Sequence, residues 1–200
     1  MHPNSRFGWD DRGEMLAFLD RLSFCTIVVG DSRGLAVAHA PVTVVDDGAA
    51  VQFHVSRANV AAPRFDGVHG LLSCIGPHGY ISPDWYGTDD QVPTWNYVAV
   101  ECEGPIRRMN ADEGAALLDR LGALHEAALL PKAPWTRGKM SPGRFDAMLN
   151  AIICFEMRIE ALRGTRKLGQ TKSAGETRNV VAALRAAGRD DLAAAMEQAS

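Results

Sequence analysis

The spacing of apolar residues changes several times along the chain, and each change marks an element. Met15, Phe18, Leu19 and Leu22 recur at helical spacing behind Asp11 and Glu14, a pair suited to a capping box. Residues 24–29 (Phe-Cys-Thr-Ile-Val-Val) then read as a strand, 30–34 as a turn, and 35–45 as a second strand in which Pro41 predicts a bulge or an edge. Asp46, Asp47 and Gly48 turn the chain into a third strand over 49–55, so the opening is an antiparallel meander. Further strands are predicted over 68–75, 95–103 and 106–109.

Helical spacing returns after residue 109. Asn110 with Glu113 can cap a helix carrying Leu117, Leu118, Leu121 and Leu124, which Pro131 and Pro134 end. Ser141-Pro142 has the order of a helix start, followed by Phe145, Met148, Leu149 and Ile152. Next comes the cleanest alternation in the chain: Phe155, Met157, Ile159 and Ala161 face one way, Cys154, Glu156, Arg158 and Glu160 the other. A basic segment over 165–172 precedes two helices, one capped by Ser173 and Glu176 and stopped by Gly188, the other spanning 190–200. The pattern gives about seven antiparallel strands with inserted and appended helices, an α+β barrel rather than an alternating βαβ fold.

Composition narrows the classes. Two hundred residues with 46% hydrophobic content can bury a full core, so a single domain over 1–200 is expected, with a helical appendage from about 173. A net charge of −3 gives no global reason to expect nucleic acid. No apolar run approaches the length of a membrane span and residues 1–5 resemble no signal peptide, so a cytoplasmic protein is expected. Cys25, Cys74, Cys102 and Cys154 are isolated in strand-like runs and read as reduced, buried small residues. No glycine-rich nucleotide loop occurs, His125-Glu126 lacks the second histidine of a zinc helix, and no metal site is expected. His39 and His54, on strands, suit hydrogen-bonded structural roles.

Two features carry candidate chemistry. Residues 76–100 hold all three tyrosines of the chain together with Trp85 and Trp95, broken by Pro77, Pro83 and Pro93. Such a stretch between two strands reads either as a ligand-binding excursion or as an aromatic cover for a barrel end. Donors flank it in sequence: Ser56, Arg57 and Asn59 bring a hydroxyl, a guanidinium and an amide to a strand end, and Arg166, Lys167, Gln170 and Lys172 form a second group. Each could be a solvated turn. Together they suggest an anionic ligand with a flat ring.

The segments 54–59 (His-Val-Ser-Arg-Ala-Asn), 76–86 (Gly-Pro-His-Gly-Tyr-Ile-Ser-Pro-Asp-Trp-Tyr), 92–100 (Val-Pro-Thr-Trp-Asn-Tyr-Val-Ala-Val) and 167–170 (Lys-Leu-Gly-Gln) resemble, in order and spacing, the PaiB family of FMN-binding negative transcriptional regulators. The resemblance spans nearly the whole chain and implies a split antiparallel β-barrel like that of pyridoxamine-phosphate-oxidase-like flavoproteins, with inserted and C-terminal helices. It implies FMN as cofactor, with Ser56, Arg57 and Asn59 at the phosphate and ribityl chain. Tyr80, Ser82, Trp95 and Asn96 would line the site, and Lys167 and Gln170 would reach it across a homodimer interface. The N-terminus departs from the family pattern, and Gly79 and Gly169 stand where it leads one to expect bulkier residues.

The family name implies transcription, yet the predicted 190–200 helix contains no Lys or Arg and carries Asp190, Asp191 and Glu197, a poor charge set for a recognition helix. The reading ranked first is a flavin-binding dimer, a reductase or a redox-responsive regulator. A DNA-binding repressor acting without flavin ranks second, and a dimer with an empty pocket third.

Overall fold

In the computed structural model, which describes residues 3–199, eight strands form one mostly antiparallel sheet. They are β1 (Gly8–Trp9), β2 (Phe24–Asp31), β3 (Gly34–Val45), β4 (Ala50–Ser56), β5 (Val68–Ile81), β6 (Thr94–Arg108), β7 (Ile152–Arg158) and β8 (Ala161–Lys167). The helices are α1 (Arg12–Leu22), α2 (Ala111–Ala127), α3 (Arg144–Leu149), α4 (Ala174–Ala186) and α5 (Asp190–Gln198). Ser200, the end of the predicted last helix, lies outside the described residues. Strand order is β1-β8-β6-β5-β2-β3-β4-β7, with β6 also paired to β7. This is the α+β barrel that the residue pattern predicts, of the split-barrel class that the family resemblance implies.

The chain forms two compact units, Arg12–Cys74 with Glu101–Leu162, and residues 3–11 with Ile75–Val100 and 163–199. Strands β5 and β6 each contribute one part to either unit.

In the first unit, β5, β2, β3, β4, β7 and β6 pair in a closed circuit, the last link joining Ile106 to Met157. Alternation sorts the side chains. On β2, Cys25, Ile27 and Val29 are buried while Phe24 is exposed. Phe53, Phe65 and Phe155 fill the interior, their ring centroids 5.5 to 5.7 Å apart. Gly104 allows the tightest approach: a Cβ there would stand 1.6 Å from the Arg158 carbonyl oxygen. The other face of β7 is covered as well, because Cys154 packs with Met109, Leu117 and Leu121 in a cluster that α2 supplies. The predicted Asn110–Glu113 capping box starts α2.

The second unit is built on β1, β8 and the adjoining parts of β5 and β6, with α4 and α5. Gly8 pairs with Thr165, and the Arg166 guanidinium stacks 3.5 Å over the Trp9 ring. The predicted Ser173–Glu176 capping box starts α4. Leu192, Ala193 and Met196 of α5 are buried, as are Val180, Val181 and Leu184 of α4.

Several boundaries differ from the predicted ones. The stretch after residue 75 is strand as far as Ile81, and Pro77 is absorbed by a one-residue slip: Leu72 and Cys74 are buried before it, Gly79 and Ile81 after it. The predicted fifth and sixth strands are one strand through Pro105. The predicted helix carrying Phe145 stops at Leu149, and Ile152 opens β7. The long alternation breaks at Ile159 and Glu160, whose N–H groups donate to the carbonyls of Ala49 and Glu103 at 2.8 and 2.9 Å, and the basic segment starts within β8. All four cysteines are free and buried, as the sequence predicts.

Candidate functional site

Aromatic side chains gather on the outward face of β5 and β6 in the second unit. Tyr80 and Trp95 are 48% and 50% exposed, and their rings meet edge-on with centroids 6.4 Å apart. His78, which the sequence reading passed over, stacks on Trp95 at the same centroid distance. Its position two residues before Tyr80 on one strand is the signal that would have found it. Rings held on paired strands offer a flat surface without the entropy cost of ordering a loop.

Lys167 and Asn96 support this surface from behind. The Lys167 ammonium donates to the Trp95 carbonyl at 2.7 Å and to the Thr94 hydroxyl, and burial pulls its pKa below the ordinary lysine value. Asn96 follows Trp95 on the strand and so points inward. It is 1% exposed, and its amide donates to the Met196 sulfur at 3.4 Å. Gln170 closes its own turn, accepting from the Leu168 N–H at 2.8 Å and donating to the Arg166 carbonyl. Ser82 ends the aromatic strand; its carbonyl accepts from the Trp85 N–H at 3.2 Å as Pro83–Tyr86 form a short 3-10 turn.

The same unit explains the two unexpected glycines. A Cβ on Gly79 would stand 3.0 Å from Leu192 of α5, and Gly169 holds a φ of 85°, where a side chain is strained. The α4–α5 pair is also tied to the aromatic stretch by polar bonds. Glu176 accepts from Thr88 and Gln91, each at 2.9 Å, and Asn179 donates to the Tyr86 carbonyl at 3.1 Å. Lys172 lies 4.5 Å over the Tyr86 ring, and Arg189 donates to the His78 carbonyl.

The Ser56–Arg57–Asn59 group lies in the first unit, where β4 ends. Ser56 and Asn59 cap the turn, accepting through their side-chain oxygens from the N–H groups of Ala58 and Ala61 at 3.2 and 2.8 Å. Arg57 is clamped to the segment before β7: Nε donates to the Asn150 carbonyl at 2.8 Å and Nη2 to that of Ile152 at 3.1 Å. Its side chain borders a cavity of about 140 Å³ that also touches Arg108, Asn110 and Ala111. With Arg57 and Arg108 in its lining beside the N-terminus of α2, this cavity has a positive character suited to an anion. Arg108 is a candidate the sequence reading missed, since nothing local in the sequence joins it to Arg57.

The structural reading of His39 holds: its Nδ1 lies 3.1 Å from the Thr26 hydroxyl. His54 departs from the hydrogen-bonded role expected of it. Its buried Nδ1 has no partner among the described residues, and burial lowers its pKa.

Comparison with known proteins agrees with this architecture. The chain is 29% identical over 174 residues to protease synthase and sporulation protein PAI 2 of Bacillus subtilis, covering 86% of this chain and 83% of that protein. Among solved structures, the flavocytochrome Anf3 from Azotobacter vinelandii superposes with a TM-score of 0.64 at 13% identity, over 84% of this chain and 73% of that one. The FAD and heme binding protein from Mycobacterium smegmatis gives 0.58 at 15% identity, over 88% and 79%. At such identities these two superpositions speak for the fold. The model of the family described as "Putative FMN-binding domain" matches residues 1–161, and the chain therefore belongs to that FMN-binding family.

Proposed function

We propose that the chain binds FMN non-covalently, with the His78, Tyr80 and Trp95 surface as a platform for a flat ring and the Ser56–Arg57–Asn59 turn with Arg108 as a set of donors for a phosphate. The observation that carries this reading is the aromatic surface, with two half-exposed rings held at 6.4 Å on neighbouring strands. Bound FMN supplies hydride or electron chemistry. The protein's own residues bind and orient. Lys167, Asn96 and Gln170 set the strand and turn behind the rings, and Ser82 ends the aromatic strand. On this reading the chain acts as a flavin-dependent reductase or a redox-responsive regulator.

Titrating apoprotein with FMN, followed by flavin fluorescence and absorbance, should give saturable binding. Trp95→Ala should weaken it by about 3- to 10-fold, the range of an aromatic contact. No saturable change up to high micromolar FMN would sink the reading.

The working form is proposed to be a homodimer. On the outer face of β2 and β3, Phe24, Leu35 and Val37 are 65%, 75% and 48% exposed, an apolar sheet face suited to a second copy. Light scattering at micromolar protein should give the mass of two chains. Val37→Glu, which leaves the inward face of β3 untouched, should shift it towards one. A wild-type monomer would count against the dimer.

A repressor acting without flavin draws little support from α4 and α5. The face of α5 carrying Leu192, Ala193 and Met196 is buried, and the helix also carries Asp190, Asp191 and Glu197, which repel phosphates.

A further inference from the structure

The α4–α5 pair carries a cavity of ligand size. It lies beyond the 1–161 segment that the family model covers, and its lining shares no residue with either cluster described above. The cavity is a groove of about 420 Å³ along α4, within the usual range of small-molecule sites. Its lining is mainly apolar: Thr177 and Val181 are buried beneath it, and Ala174 and Ala182 lie alongside.

Charge at the rim has one sign in excess. Arg178 and Arg185 border the groove, seven residues apart and so on one side of the helix. Arg185 meets Glu197 of α5 at 2.7 Å. Among the described residues no carboxylate meets Arg178. The groove therefore combines an apolar length with an uncompensated guanidinium.

We propose that this groove binds an amphipathic organic anion, a medium-chain carboxylate or small aromatic acid. The apolar body lies along Ala174, Val181 and Ala182, and the carboxylate meets Arg178 in a charge-assisted hydrogen bond. The site does not depend on the flavin reading, because it lies on other residues and is tested with and without FMN.

The probe is anilinonaphthalenesulfonate, whose fluorescence rises in an apolar site. Added to the full-length chain, apo or FMN-saturated, it should bind saturably at one site per chain. Decanoate should displace it and decylamine should not. Arg178→Glu, at an exposed position, should weaken binding by about 10- to 100-fold, with the thermal melt and FMN affinity unchanged. Ala182→Glu, which puts a like charge in the groove, should weaken it as well. The proposal is overturned by absence of saturable binding, by equal displacement with decylamine, or by wild-type affinity in both variants. It is equally overturned if Ala182→Glu turns a dimer into a monomer, which would make a second copy the occupant.

Discussion

Arg57→Ala should weaken FMN binding by about 10- to 100-fold while leaving riboflavin affinity nearly unchanged. The expectation rests on the Arg57 clamp. Its backbone N–H donates to the Ala151 carbonyl at 2.9 Å, and Nε and Nη2 donate to those of Asn150 and Ile152. These bonds fix the guanidinium plane at the edge of the Arg108 cavity and commit only part of its fork. A charge-assisted hydrogen bond to phosphate contributes about 1.5–3 kcal/mol, and each 1.4 kcal/mol is about a factor of ten.

Riboflavin lacks the phosphate, so comparing the two ligands on wild type and mutant isolates that contact. Equal loss of both would mean that Arg57 serves the turn alone. Loss of neither would move the phosphate to other donors. Arg57→Lys should recover only part of the affinity, since an ammonium cannot keep both carbonyl bonds and meet a phosphate in one plane.

The largest expected stability effect is at Gly104. A methyl group there would sit 1.6 Å from the Arg158 carbonyl oxygen, an overlap with backbone that no rotamer change relieves. The crossing chain is pinned beside it, because Glu160 donates to the Glu103 carbonyl at 2.9 Å. Gly104→Ala should therefore cost about 3 kcal/mol or more, at the upper end of overpacking penalties, or yield no soluble protein. Gly122 is the matched control: it lies inside α2, and its added Cβ would meet nothing within 4 Å. Gly122→Ala should gain about 0.5–1 kcal/mol from helix propensity. Chemical denaturation of both variants decides the matter, and a Gly104→Ala protein within 1 kcal/mol of wild type refutes the account.

Much of the fold can be read from local pattern. The Asn110–Glu113 and Ser173–Glu176 boxes start their helices where the residues predict, because a cap depends on a few neighbours. The meander up to Ser56 follows from alternation against one core. What escaped reading depends on distant partners. Pro77 and Pro105 look like strand ends until neighbouring strands are present to hold the chain extended. Arg166 and Lys167 look like a solvated turn, yet one stacks over Trp9 and the other is bonded to the Trp95 carbonyl.

The candidate site was legible unevenly for the same reason. The aromatic stretch stands out by composition, and the family resemblance singles out Tyr80 and Trp95 within it. The inward direction of Asn96 follows from its place beside Trp95 on a strand, and the association of Arg57 with Arg108 required the fold.

The slip in alternation at Gly76 and Pro77 gives chain length an unusual weight. Upstream of it the outward positions include Leu71 and Ser73, and downstream they are His78 and Tyr80, so one extra residue decides which side of the sheet the rings occupy. Trp95 lies on β6, where every even-numbered position from Asn96 to Ile106 is buried with no slip, so nothing on that strand can follow a change on its neighbour. Losing a single codon at this point would turn His78 and Tyr80 inward and leave Trp95 where it is. Point substitutions can tune the aromatic surface, whereas a one-residue deletion dismantles it at once, and related sequences that keep the rings should tolerate side-chain drift here far better than changes in spacing.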